Sequence, residues 1–102
     1  MAGVPDSTSV DPDGHSVVLE NERVRILEVR VADGRQLPLH SHPPRSVVAI
    51  GSYRLRSTDA AGGGSIIDRR PGDVSWSDGE VHSATVLIGP AHAIEVEVKT
   101  PG

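Results

Sequence analysis

From residue 16 onward the chain is cut at short intervals by turn-forming clusters, and this punctuation constrains its fold more than any other feature. The clusters are Ala32-Asp33-Gly34, Gly51-Ser52, Asp59-Ala60-Ala61-Gly62-Gly63-Gly64, Pro71-Gly72-Asp73, Asp78-Gly79 and Gly89-Pro90. Between them lie short segments rich in β-branched residues, read as strands over 16–19, 23–31, 36–41, 46–50, 53–57, 65–69, 74–76, 81–88 and 92–99. No window carries a sustained i, i+3, i+4, i+7 apolar pattern, so the expected class is all-β, a sandwich or a barrel.

Alternation assigns faces to two of these segments. In 53–57, Tyr53 and Leu55 alternate with Arg54 and Arg56. In 92–99, His92, Ile94, Val96 and Val98 share one parity, expected to face the core, while Glu95, Glu97 and Lys99 take the other. Segments 23–31 and 46–50 are apolar on both parities, which reads as cover on both faces. In one domain of 102 residues the second cover is expected from a partner subunit, so a homodimer is the expected assembly. Residues 1–14, rich in Pro, Gly, Asp and Ser, read as a flexible lead-in to a single domain over 15–102.

Composition narrows the chemistry. There is no cysteine, which removes disulfides, thiolate zinc sites, iron–sulfur clusters and cysteine nucleophiles, so any metal must be held by nitrogen and oxygen. The net charge is -4 and the 10 basic residues are scattered, which argues against a phosphate-tracking surface. One Tyr, one Trp and no Phe leave almost nothing to stack on bases, so nucleic acid is not an expected partner. No apolar run reaches membrane-spanning length, and the N-terminus lacks the basic and apolar regions of a secretory signal; no membrane association and a cytoplasmic location are expected. Gly62-Gly63-Gly64 has neither a strand before it nor a helix after it, so it reads as a hairpin loop and not a phosphate cradle. No Ser sits in a Gly-x-Ser-x-Gly elbow.

What remains is histidine. His40 and His42 stand two apart on an expected strand, so their side chains share a face about 7 Å apart and can converge on one point. His82 opens the segment 81–88 and shares the parity of Ala84, Val86 and Ile88. Imidazole is the commonest protein metal ligand, and a His-x-His pair on a strand needs only one or two further ligands to close a site. His15, after Pro12-Asp13-Gly14, reads as a surface residue. His92 reads as a hydrogen-bonded core histidine rather than a fourth ligand, and Trp76 as packing.

Across about residues 17–98 the chain resembles a small single-domain cupin. The family's first motif is a glycine, five residues, His-x-His, three or four residues, a Glu and a further glycine. Gly34, His40 and His42 match it, while the Glu would fall at Ser46 or Val47 and the later glycine comes early, at Gly51. The second motif is a Pro-Gly-Asp turn and a Pro-x-Gly stretch leading to a third His. Pro71-Gly72-Asp73 and His82 match it, with Asp78 where the proline belongs and the glycine displaced to Gly79, ahead of Glu80. The resemblance implies a double-stranded β-helix, a cupin-type jelly-roll barrel. It also implies one divalent transition metal on His40, His42 and His82, with Fe, Zn, Ni, Cu and Mn not distinguished. A three-His site with open positions suits dioxygenase-type oxidation of a small carboxylate or dicarbonyl. A non-catalytic cupin binding module holding a small ligand, and a cupin isomerase or lyase, are the alternatives. Glu80, Tyr53, Arg45 and Ser75 are the candidates for a proton-transfer or redox partner. Without the motif Glu the ion keeps its full charge in an aliphatic pocket, so the expected partner is a small anionic molecule, the more so if Arg45 turns inward.

Overall fold

The structure, a computed structural model, describes residues 3–99. One short helix, α1 (Ser7–Val10), precedes nine strands. These are β1 (His15–Glu20), β2 (Val24–Val31), β3 (Gln36–His42), β4 (Arg45–Ala49), β5 (Tyr53–Asp59), β6 (Gly64–Arg69), β7 (Val74–Ser77), β8 (Glu80–Ile88) and β9 (Ala91–Val98). Every expected strand is present, with ends moved by at most two residues, because the turn clusters that bound them are local chemistry.

The strands form two antiparallel sheets, ordered β1-β2-β9-β4-β7 and β3-β8-β5-β6, closed face to face as a double-stranded β-helix. Between them lies an aliphatic core of Leu27, Val29, Val31, Leu37, Ala49, Val86, Ala91 and Ala93, with Tyr53. Burying Leu27 or Val29 fully stabilises the fold by roughly 1.5–3 kcal/mol each. Among the described residues no helix is long and apolar enough to cross a membrane.

Strand β3 departs from simple alternation. Its register against β8 shifts between Leu37 and His40, two residues of β3 standing opposite one of β8. The bulge contains Pro38, which has no N–H to give to a ladder. Its effect is that Leu37, His40 and His42 all point inward although Leu37 and His40 differ in parity.

The last strand is turned the other way from its expected orientation. Register places Glu95 beside Leu27, Ala93 beside Val29 and Ala91 beside Val31, so Ala91, Ala93, Glu95 and Glu97 are the buried set. His92, Ile94, Val96 and Val98 face outward instead. There they join Leu19, Ile26, Val48, Val74 and Trp76 on the outer face of the five-stranded sheet. Trp76 is 56% exposed on that face and is not core packing.

The expected lead-in is also packed. Asp6 caps α1 through the Thr8 N–H, the Ser41 N–H donates to the Pro5 carbonyl, and Ser7 and Asp11 are buried. The segment lies against β3, where its backbone finds partners that composition does not reveal. The outermost residues of the two expected units, 1–2 and 100–102, lie outside the described residues.

Candidate metal centre

His40 and His82 are partners across β3 and β8, and His42 is two residues on from His40 along the same strand. Their rings are buried, and His42 Nε2 lies 3.0 Å from His40 Nε2 and 3.1 Å from His82 Nε2. The opposite ring nitrogens are held from behind. His40 Nδ1 donates to the Pro38 carbonyl at 2.7 Å, since a carbonyl can only accept, which leaves the lone pair on Nε2. His82 Nδ1 bonds the buried Ser57 hydroxyl at 2.7 Å. The three inner nitrogens lie within hydrogen-bond distance of one another, so without an ion an Nε2–H can be shared between rings, and with one all three lone pairs can turn to the same cation. Nitrogens this far apart subtend roughly 90° at an ion about 2.1 Å away, which suits one face of an octahedron better than a tetrahedron. Among the described residues these three form one of two groups with metal-ligand spacing.

Burial fixes the protonation of the cluster. It depresses all three imidazoles: His40 below its ordinary value, His42 well below it, and His82 to about 4, where the Glu80 carboxylate partly opposes the fall. Near neutral pH the rings are neutral and able to bind a cation.

Of the two positions open to the motif Glu, only 47 faces the barrel interior. Ser46 pairs with Val96 and Trp76 on the outer face, so a carboxylate there would miss the cluster. Val47 pairs with Glu95 instead, and the buried Glu95 brings a carboxylate to the same region from β9, its Oε1 lying 3.8 Å from His42 Nδ1. Glu97 is buried beside it and bonded by Arg25. The pocket is therefore not walled by aliphatic groups alone, and the full positive charge expected at the site is partly offset from behind His42. The expected wet face of β9 gave no signal of this.

Arg45 does turn inward. It is 6% exposed, its Nη2 donates to Glu80 at 2.9 Å, and its Nε lies 3.2 Å from Glu95 Oε1 but out of line for a hydrogen bond. Its Nη1 has no partner. With Tyr53, Ser75, Glu80 and His82 it lines a cavity of about 340 Å³, so the residues singled out for proton transfer meet in one place. Gly79, at φ +113°, makes the turn that sets Glu80 at the head of β8, a conformation open to glycine and strained for other residues.

Two other histidines correct the sequence reading. His92 is not a core residue; it faces outward and bonds Glu28 at 2.9 Å, away from the cluster. His15 is not on the surface. It is 5% exposed, its Nδ1 bonds Asp11 Oδ2 at 3.1 Å, and it shares a small cavity of about 70 Å³ with His40, His42 and His82. Its position as first residue of β1, register partner of Val29, puts it inside, and only the pairing reveals that.

No family model and no curated protein matches the chain by sequence. Solved structures do match by shape. A cupin domain from Bordetella pertussis Tohama I is 22% identical with a TM-score of 0.74, the match covering 84% of this chain and 92% of that one. KdgF from a Halomonas species is 14% identical with a TM-score of 0.57, covering 85% and 78%. A serine-to-alanine mutant of Bacillus subtilis oxalate decarboxylase is 25% identical with a TM-score of 0.59, covering 86% of this chain and 25% of that one. The chain has the cupin fold.

Proposed function

We propose that this cupin-fold protein holds one divalent transition metal through Nε2 of His40, His42 and His82 and uses it to oxidise a small carboxylate or dicarbonyl. The observation that carries the reading is the convergence of three neutral imidazoles whose outer nitrogens, in His40 and His82, are already occupied. When bound, the ion supplies a Lewis acid with open positions for an anionic ligand and dioxygen.

The chain's own residues supply the rest. The cavity beside the cluster is mostly apolar, of a size for a small acid, and reaches the cluster at His82. Arg45 offers its unpartnered Nη1 to a substrate carboxylate, the charge-assisted contact best suited to that group. The Tyr53 hydroxyl, held protonated by burial, is placed to donate a hydrogen bond to the same ligand.

A second reading is a non-catalytic binding module, and one contact favours it. Glu80 is engaged by Arg45 at 2.9 Å and so is not a free base.

The test is protein loaded separately with Fe, Mn, Ni or Zn salts and offered oxalate, malonate, acetate and a 1,3-dicarbonyl. Metal-dependent dioxygen uptake supports oxidation, carbon dioxide release without dioxygen uptake indicates a lyase, and calorimetric binding without turnover indicates the binding module. Arg45→Gln should weaken carboxylate binding about tenfold, the effect of losing about 1.4 kcal/mol.

A further inference from the structure

We propose that Glu95 is the positioning residue for His42: its carboxylate, delivered from β9, orients the imidazole and counters the charge of an ion held on the other side of the ring. The inference rests on the metal reading above.

Two of the three imidazoles have their outer nitrogen held by a partner, and His42 is the exception. Its Nδ1 is buried with no hydrogen-bond partner. Glu95 Oε1 is also buried and unpartnered, and it faces that nitrogen from 3.8 Å. A shift of about 1 Å turns this pair into a hydrogen bond of ordinary length. A carboxylate behind a metal-ligating histidine fixes its tautomer and ring orientation and raises its basicity. Glu95 itself does not join the group of ligand atoms formed by His40, His42 and His82, so it acts through His42 and not on the ion.

The pairing of strands explains how the carboxylate arrives. Val47 and Glu95 are register partners with both side chains on the interior face, so a carboxylate on either strand projects toward the same part of the pocket. The charges facing Glu95 are Arg45 on β4, Glu80 on β8 and Glu97 two residues along β9, which is itself held by Arg25 on β2. His42, Glu95 and Glu97 also have the spacing of a second cation site. The guanidinium groups of Arg25 and Arg45 already stand against those carboxylates, which argues against a second ion.

The experiment measures zinc stoichiometry and affinity, by chelator competition, for the wild-type chain, Glu95→Gln and His82→Ala. One ion per wild-type chain and a 10- to 100-fold loss of affinity in Glu95→Gln support the proposal. A second measurement needs no variant: in zinc-loaded wild type, nitrogen-15 NMR should find a slowly exchanging, hydrogen-bonded proton on His42 Nδ1, and its absence overturns the proposal. Equal affinity in wild type and Glu95→Gln, with binding lost in His82→Ala, overturns the role of Glu95 and leaves the metal reading standing. Two ions per wild-type chain also overturn it. A wild type that takes up no zinc, iron, nickel or manganese overturns both.

Discussion

His40 and His82 are direct register partners on β3 and β8 and so share a face, and a bulge between Leu37 and His40 makes it the interior face that Leu37 also occupies. Two imidazoles of the cluster are thereby fixed by backbone pairing and not by loops, and His42 follows two residues along the same strand. A site built on paired strands holds its geometry when one side chain is removed.

Replacing His40, His42 or His82 by Ala is expected to lower bound metal at least tenfold while the far-UV circular dichroism keeps its β signature. Elemental analysis of protein purified without a His tag or chelator checks this. Retention of stoichiometric metal by any one of the three variants would falsify the assignment of that residue.

Acidification should destabilise the metal-free protein. The imidazoles of His40, His42 and His82 are depressed by burial from an ordinary value of 6.5, His82 to about 4. Between about pH 6.5 and 4 the unfolded chain binds protons that the folded one refuses, so folding stability rises with pH across that window. Each group contributes a slope of up to about 1.4 kcal/mol per pH unit. Glu95, raised by burial, opposes with a single group. Urea midpoints of chelator-treated protein at pH 7 and pH 5 measure the sum, and a midpoint that holds or rises at pH 5 contradicts buried neutral imidazoles.

A second copy of the chain is the proposed cover for the outer face of the five-stranded sheet. Leu19, Ile26, Val96 and Trp76 lie in one register row across β1, β2, β9 and β7, interrupted on β4 by Ser46; Ile94, Val48 and Val74 lie in the next. Leu19, Val74 and Trp76 are 49%, 67% and 56% exposed, an apolar surface of the kind monomers rarely leave open. A two-fold axis through this sheet would set like rows against like. Sedimentation equilibrium should give about 21 kDa, twice 10.7 kDa, and Trp76→Glu should return the monomer mass. Wild-type protein sedimenting as a monomer at micromolar concentration rules out this interface.

Gly14→Ala tests the packing of the N-terminal segment. A Cβ there would fall well inside contact distance of Asp11 Oδ2 and 2.9 Å from the Arg30 carbonyl. Asp11 is pinned by His15, and the Arg30 N–H is bonded to the Gly14 carbonyl, so neither neighbour yields freely. The expected cost is about 1–3 kcal/mol, a fall in melting temperature of at least about 4 °C. An unchanged melting temperature means that residues 3–14 are not tied to the barrel.

By itself the sequence determined the strands and the identity of the three histidines. Turn residues act through local backbone preferences, so Ala32-Asp33-Gly34 or Pro71-Gly72-Asp73 ends a strand whatever lies across the sheet. His40 and His42 converge for an equally local reason, the two-residue period of a strand. Other assignments depended on partners distant in the chain. Apolar alternation in β9 pointed Val96 inward and Glu95 outward, and pairing with β2 reversed both, because the interior side of this strand carries alanines and paired charges while the outer side is apolar. Ser46 and Val47 were equivalent as positions for a missing carboxylate until pairing with β9 put Val47 inside beside Glu95. His15 followed a turn and resembled a surface residue until pairing with β2 placed it in the cavity wall. The physical reason is common to all three: which face of a strand is buried is a property of the sheet, decided by register between segments tens of residues apart, and no local preference carries that information.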